Sequence, residues 1–223
     1  MIPLYEGQKV VAIYTDGACS GNQNEENTGG WGAILEYAGA VKELYGGEPN
    51  TTNNRMELTA VLEAFRALKK DGLDVVVFSD SAYLANCFRE KWYENWKRNG
   101  RKNAKKKPVE NRDLWEGILS FTERNRVSFC RVKGHLNVDG ASFDLPAEYA
   151  RFTEWNGTAF REEDFLYATE RNNRADELAN IGIDEARGPE EPGADDEISE
   201  TATTGGANGE ISETATEEPG GGA

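Results

Sequence analysis

Val10-Val-Ala-Ile-Tyr-Thr-Asp16-Gly17 is an apolar, β-rich run that stops on a carboxylate and a glycine. Residues 10–15 predict a strand, and a carboxylate buried at its end is costly unless it is paired or holds a metal. Downstream, Trp31–Tyr37 and Val41–Tyr45 read as two strands joined by a turn at Ala38-Gly39-Ala40. Leu58, Val61, Leu62, Phe65 and Leu68 recur at helical spacing, and Asp71-Gly72 closes that helix. Val75–Ser79 is a short continuous apolar run, the pattern of a strand buried on both faces. Helices follow around Ser81–Phe88, Trp92–Asn99 and Arg112–Arg124, then a fifth strand at Val127–Val132 and a last helix at Arg171–Ala186. This order predicts an α/β domain: a five-stranded mixed sheet with helices on both faces.

The domain is expected to span residues 1–187, with a basic protrusion at about 90–110 and an aromatic-rich insertion at about 136–170. Asp144-Leu-Pro-Ala-Glu within that insertion reads as a capped helix start. Residues 188–223 hold ten acidic residues and no Lys or Arg, and Glu197-Ile-Ser-Glu-Thr-Ala-Thr returns as Glu210-Ile-Ser-Glu-Thr-Ala-Thr. So little apolar surface predicts a disordered acidic tail, with an unidentified partner among its uses. Two short copies do not make a solenoid.

The net charge of −15 is therefore misleading as a whole. Most of it sits in the tail, whereas Lys91, Lys97, Arg98, Arg101, Lys102, Lys105, Lys106 and Lys107 crowd one stretch of the body. No apolar run approaches the length of a membrane span, and Met1-Ile-Pro-Leu-Tyr lacks a signal-peptide pattern. Cys19, Cys87 and Cys130 are widely spaced and odd in number, pointing to reduced thiols and a cytoplasmic protein. One histidine and no closely spaced cysteine pair argue against structural zinc.

Four carboxylates stand out by position. Asp16 and Asp80 end apolar strands; Glu57 and Asp176 lie on helix flanks that face the sheet. Each has an ordinary reading: a turn residue for Asp16, an N-cap for Asp80, a capping box with Asn54 for Glu57, a solvated helix position for Asp176. Together they form an oxygen-rich set suited to Mg²⁺.

Several stretches resemble the type 1 ribonuclease H (bacterial ribonuclease HI) family. They are Tyr14-Thr-Asp-Gly-Ala-Cys-Ser-Gly-Asn22, Gly29-Gly-Trp-Gly-Ala-Ile-Leu35, Thr51-Thr-Asn-Asn-Arg-Met-Glu-Leu58, Ser79-Asp-Ser-Ala-Tyr83, Asn95-Trp-Lys97, Lys107-Pro-Val-Glu-Asn-Arg-Asp-Leu-Trp115, Val132-Lys-Gly-His135 and Asn173-Arg-Ala-Asp-Glu-Leu-Ala179. The resemblance implies a ribonuclease H fold in which strands two and three run antiparallel to the others. It also implies an endoribonuclease that cuts the RNA strand of an RNA–DNA hybrid, leaving 3′-hydroxyl and 5′-phosphate ends. Asp16, Glu57, Asp80 and Asp176 become ligands of two Mg²⁺ ions, with Mn²⁺ as a substitute. His135 matches a loop histidine that assists proton transfer or product release, a role suited to a side chain that changes charge near neutrality.

The same resemblance places Cys19, Asn22, Asn53 and Asn54 at the hybrid minor groove, where 2′-hydroxyls mark RNA. Thr52 and Asn111 match a DNA-phosphate pocket. Trp92, Trp96, Lys97, Arg98, Lys105 and Lys106 belong to the basic protrusion, which attracts phosphate and stacks on deoxyribose. The chain departs from the family at Ala82 (often Gln), Asn50 (commonly Arg), Arg101 (a Trp) and in the long insertion after His135, which is expected to form a lid or buttress. The protein is expected to act as a monomer. Two rivals are a non-catalytic hybrid-binding module and another nuclease of this fold acting on DNA.

Overall fold

The computed structural model describes residues 2–21, 27–103 and 105–188; Asn22 and the acidic tail beyond Gly188 lie outside the described residues. The chain forms β1 (Val10–Ser20), β2 (Thr28–Tyr37), β3 (Ala40–Pro49), α1 (Asn53–Ala67), β4 (Asp74–Ser79), α2 (Ala82–Arg89), α3 (Trp92–Arg98), α4 (Arg112–Arg124), β5 (Arg126–Arg131), α5 (Leu145–Asn156) and α6 (Glu162–Arg187). A single 3₁₀ turn, Pro3–Tyr5, precedes them.

The strands form one sheet in the order β3-β2-β1-β4-β5. β1, β4 and β5 run parallel, and β2 is antiparallel to both β1 and β3. β2 alone therefore opposes the rest, which corrects the expectation that β3 opposes them too: two successive antiparallel connections restore β3 to the direction of β1. Ala38 and Gly39 make the tight β2–β3 turn with φ of 49° and 84°, the left-handed pair that matches strand twist.

Alternation along β1 divides the core into two layers. Val11 and Ile13 pack with Leu58, Val61 and Phe65 of α1 and Trp115 and Ile118 of α4. Ala12 and Tyr14 face the other way, with Ile34, Phe78, Phe152 of α5, and Phe165 and Leu178 of α6.

The insertion belongs to this second layer. Asp144 caps α5 as expected, its Oδ1 accepting the Ala147 N–H at 3.1 Å. The segment after α5 starts α6 nine residues earlier than the periodicity of the final helix predicts. Buried Asp164 ties the start of α6 to the N-terminus by accepting the Leu4 N–H at 2.6 Å. α5 also closes part of the sheet edge: Asn156 accepts the Arg131 N–H at 2.8 Å and donates to the Arg131 carbonyl at 2.7 Å. The insertion is thus a buttress under the sheet.

Candidate active site

The parallel ladder between β1 and β4 ends at Thr15 and Ser79, while β1 stays paired with β2 as far as Ser20 and Thr28. Asp16 is the first β1 residue beyond β4. It therefore sits inside a strand that has lost one neighbour, and the notch beside it is where the site forms.

Glycines let the other elements close around that notch. A β-carbon on Gly17 would overlap the backbone of Glu57, so Gly17 admits α1 and brings Glu57 beside Asp16. A β-carbon on Gly134 would overlap Asp80 Oδ2. On the other face, Gly30, Gly32 and Gly47 seat α6 directly against strand backbone, with Ala179, Ala175 and Gly182 carbonyls where their side chains would be. That seat carries Asp176 to the same notch.

The result is a tight trio. Asp16, Glu57 and Asp80 each offer a carboxylate oxygen within 4.8 Å of the others. Asp16 and Glu57 are buried. The ordinary readings fail here: Ser81, not Asp80, caps α2, and Thr52, not Asn54, caps α1. Asp176 stands outside the trio but lines the same open cavity of about 280 Å³, with Cys19, Asn53, Asn180 and His135.

The electrostatics are unfavourable without a cation. Burial first, then the charges of Asp80 and Asp176, push the Asp16 carboxyl up to about 8, against the lowering effect of the Gly17 N–H and Asn172. Burial, Asp80 and Asp16 raise Glu57 well above the carboxylate range. Burial likewise raises Asp80, opposed by His135 and Arg131. Glu57 Oε2 and Asp80 Oδ1 are buried with no hydrogen-bond partner. Clustered, desolvated oxygens with spare lone pairs fit a hard divalent cation.

His135 projects 75% of its side chain into solvent, with Nδ1 3.5 Å from Asp176 Oδ2. Among the residues assigned to substrate, Cys19 and Asn53 line the cavity, and Asn53 donates to Glu57 Oε1 at 3.5 Å. Asn54 is exposed on the first turn of α1. Thr52 and Asn111 face a common neighbour that the sequence reading passes over, Arg55. Arg55 lies one turn into α1 and reaches Asn111, Asp113 and Glu48.

The protrusion is α3 and the loop after it. Lys105, Lys106 and Arg98 are exposed, whereas Lys97 is held by Glu123 at 2.5 Å. Trp92 is half-buried against Tyr83. Trp96 departs from its assigned role: it is only 9% exposed and packs edge-on against Trp115, 5.3 Å between ring centres. It forms the floor of a groove of about 750 Å³ rimmed by Trp92, Arg98 and Lys102.

Asn172 is a second residue the sequence reading misses. It is wholly buried, and its Nδ2 approaches Asp16 Oδ2 at 3.4 Å. Its position four residues before Asp176, on the same helix face, is the signal that finds it.

Residues 8–150 match the RNase H family model. The chain belongs to the RNase H family. It is 58% identical over 128 residues to the ribonuclease H of Chlorobium luteolum, an overlap covering 57% of this chain and 85% of that protein. To the ribonuclease H of Chlorobaculum parvum it is 42% identical over 178 residues, 80% of this chain and 98% of the other. Among solved structures it is similar to LC9-RNase H1, described as a type 1 RNase H with the type 2 active-site motif, with a TM-score of 0.50 and 28% identity over 75% of this chain and 84% of that one. The five-stranded sheet is thus an RNase H fold, and the carboxylate cluster lies at the end of its central strands. Among the described residues, no helix of this RNase H is long and apolar enough to cross a membrane.

Proposed function

We propose that this protein is a type 1 RNase H that hydrolyses the RNA strand of RNA–DNA hybrids, leaving 3′-hydroxyl and 5′-phosphate ends. The observation that carries this reading is the tight trio of buried Asp16, buried Glu57 and partly buried Asp80, lying on the same molecule as an exposed cationic protrusion. A trio of this kind would repel a phosphate backbone unless cations stand between them.

Asp16, Glu57, Asp80 and Asp176 would hold two Mg²⁺ ions, for which Mn²⁺ would substitute. Such ions would supply a lowered pKa for the attacking water and offset charge on the leaving oxygen. The protein's part is positioning. Asn172 orients Asp16, Asn53 orients Glu57, and the glycine seats keep the carboxylates from spreading apart. His135, exposed beside Asp176, is placed to give a proton to the departing oxygen or to help product leave. Cys19, Asn53 and Asn54 face the minor groove, and Arg98, Lys105 and Lys106 bind the DNA backbone without reading sequence. The enzyme acts as a monomer in the cytoplasm, consistent with three unpaired cysteines.

Incubation with Mg²⁺ and labelled hybrid, duplex DNA or duplex RNA tests this. RNA-strand cleavage in the hybrid alone, abolished by Asp16→Asn, is expected. Cleavage of duplex DNA, or activity that survives the substitution, overturns it.

A further inference from the structure

We propose that Glu148 is a positioning residue for His135, acting through Lys133, and that the insertion and α6 together brace the histidine loop from both sides. The inference rests on the catalytic reading of His135 given above.

His135 carries a φ of 52°, a left-handed conformation that a non-glycine residue keeps only when its surroundings impose it. The residues on either side supply that constraint, and the groups that hold them lie in or after the insertion. On one side, Lys133 Nζ donates to Glu148 Oε1 at 2.7 Å. Glu148 lies in the first turn of α5, with a side chain only 14% exposed, and Arg151 holds its other oxygen at 3.0 Å. On the other side, the Leu136 carbonyl accepts the Asn173 Nδ2–H at 2.9 Å. The Leu136 side chain is buried in the same apolar cluster as Phe152 and Phe160. Gly134, between the two anchors, abuts Asp80. The loop is therefore tied down at residues 133, 134 and 136, while the ring of His135 itself stays in solvent.

A partly buried ion pair supported by a second cation is worth more than an exposed one, because solvent screens it less. Breaking it frees one end of the loop and leaves the core contact of Leu136 in place. Glu148 has no part in the carboxylate cluster, so its loss alters the aim of His135 and leaves the trio alone.

His135 is the only histidine in the chain, so its imidazole signals in a ¹⁵N-labelled sample need no assignment. In the metal-free, hybrid-free protein, Glu148→Gln is expected to sharpen and shift those signals, reporting faster motion, while Glu148→Asp keeps them near wild type. With hybrid and Mg²⁺, Glu148→Gln is expected to lower kcat roughly five-fold, a fraction of what a positioned general acid contributes, with KM nearly unchanged. In a His135→Ala background the same substitution should change nothing further. Unchanged imidazole signals in Glu148→Gln overturn the brace, whatever the kinetics. An equal loss of rate with and without His135 overturns it too, because it makes Glu148 merely structural. Failure of the catalytic reading is a separate result: wild-type protein that does not cleave hybrid.

Discussion

Gly134 and Asp80 touch: the space a β-carbon on Gly134 would fill is already taken by Asp80 Oδ2. The chain before His135 thus runs against a carboxylate of the trio with no atom to spare. Gly134→Ala must either lift the histidine loop or turn Asp80 away from Asp16. A misplacement of about 1 Å at a reacting centre can cost on the order of 100-fold in rate. A loss of that order in kcat is expected, with hybrid affinity held, and steady-state kinetics beside a binding titration would measure both.

The raised carboxyls make metal-free stability depend on pH. Burial first, with help from Asp80 and Asp176, holds Asp16 at about 8 in the native state, so the folded protein keeps a proton that the unfolded chain releases near 4. Stability from this group is complete below the unfolded value and is lost as pH rises toward 8. Thermal melting of chelator-treated protein should show Tm falling over that window. Mg²⁺ should restore it more at high pH than at low, and Asp16→Asn should flatten the slope. A Tm that rises steadily from pH 5 to pH 8 in chelator would contradict this account.

Trp92 and Trp96 lie one turn apart on α3 and should separate cleanly. Trp96→Ala removes a buried ring from beside Trp115 and is expected to cost about 3–5 kcal/mol in denaturant unfolding. Trp92→Ala, on the rim of the groove, is expected to leave stability nearly unchanged and to weaken hybrid binding several-fold.

The insertion is not an appendage that can be trimmed. Phe152, Phe160 and Phe165 are buried with Tyr14 and Phe78 of the sheet, so deleting residues 139–168 uncovers one whole side of the core. That deletion is expected to abolish cooperative unfolding. The milder Phe152→Ala should cost about 3–5 kcal/mol and leave a folded, active enzyme at low temperature.

Much of this was open to reading from residues alone. Val10–Thr15 and Val75–Ser79 announce themselves as strands by unbroken apolar composition, and Asp16 and Asp80 follow directly. What stays hidden depends on partners distant in sequence. Gly17–Ser20 has no strand pattern, because it is held by β2 on one side only. The glycines of β2 look like breaks in a strand until α6 is seen resting on them. Trp92 and Trp96 are equivalent by spacing, and only Trp115 tells them apart. Arg55 is an ordinary polar helix residue until α4 brings Asp113 to it.

Asn156 has a consequence beyond the site. An open edge strand invites a strand from another molecule, which is a common route to aggregation. At Arg131 both main-chain groups are already taken by one carboxamide, which offers the same donor and acceptor that an incoming strand would bring. A neighbouring molecule must displace that amide before it can extend the sheet. Helix α5 therefore also works as a stop, and Asn156→Ala should show itself in the concentration at which the protein begins to self-associate.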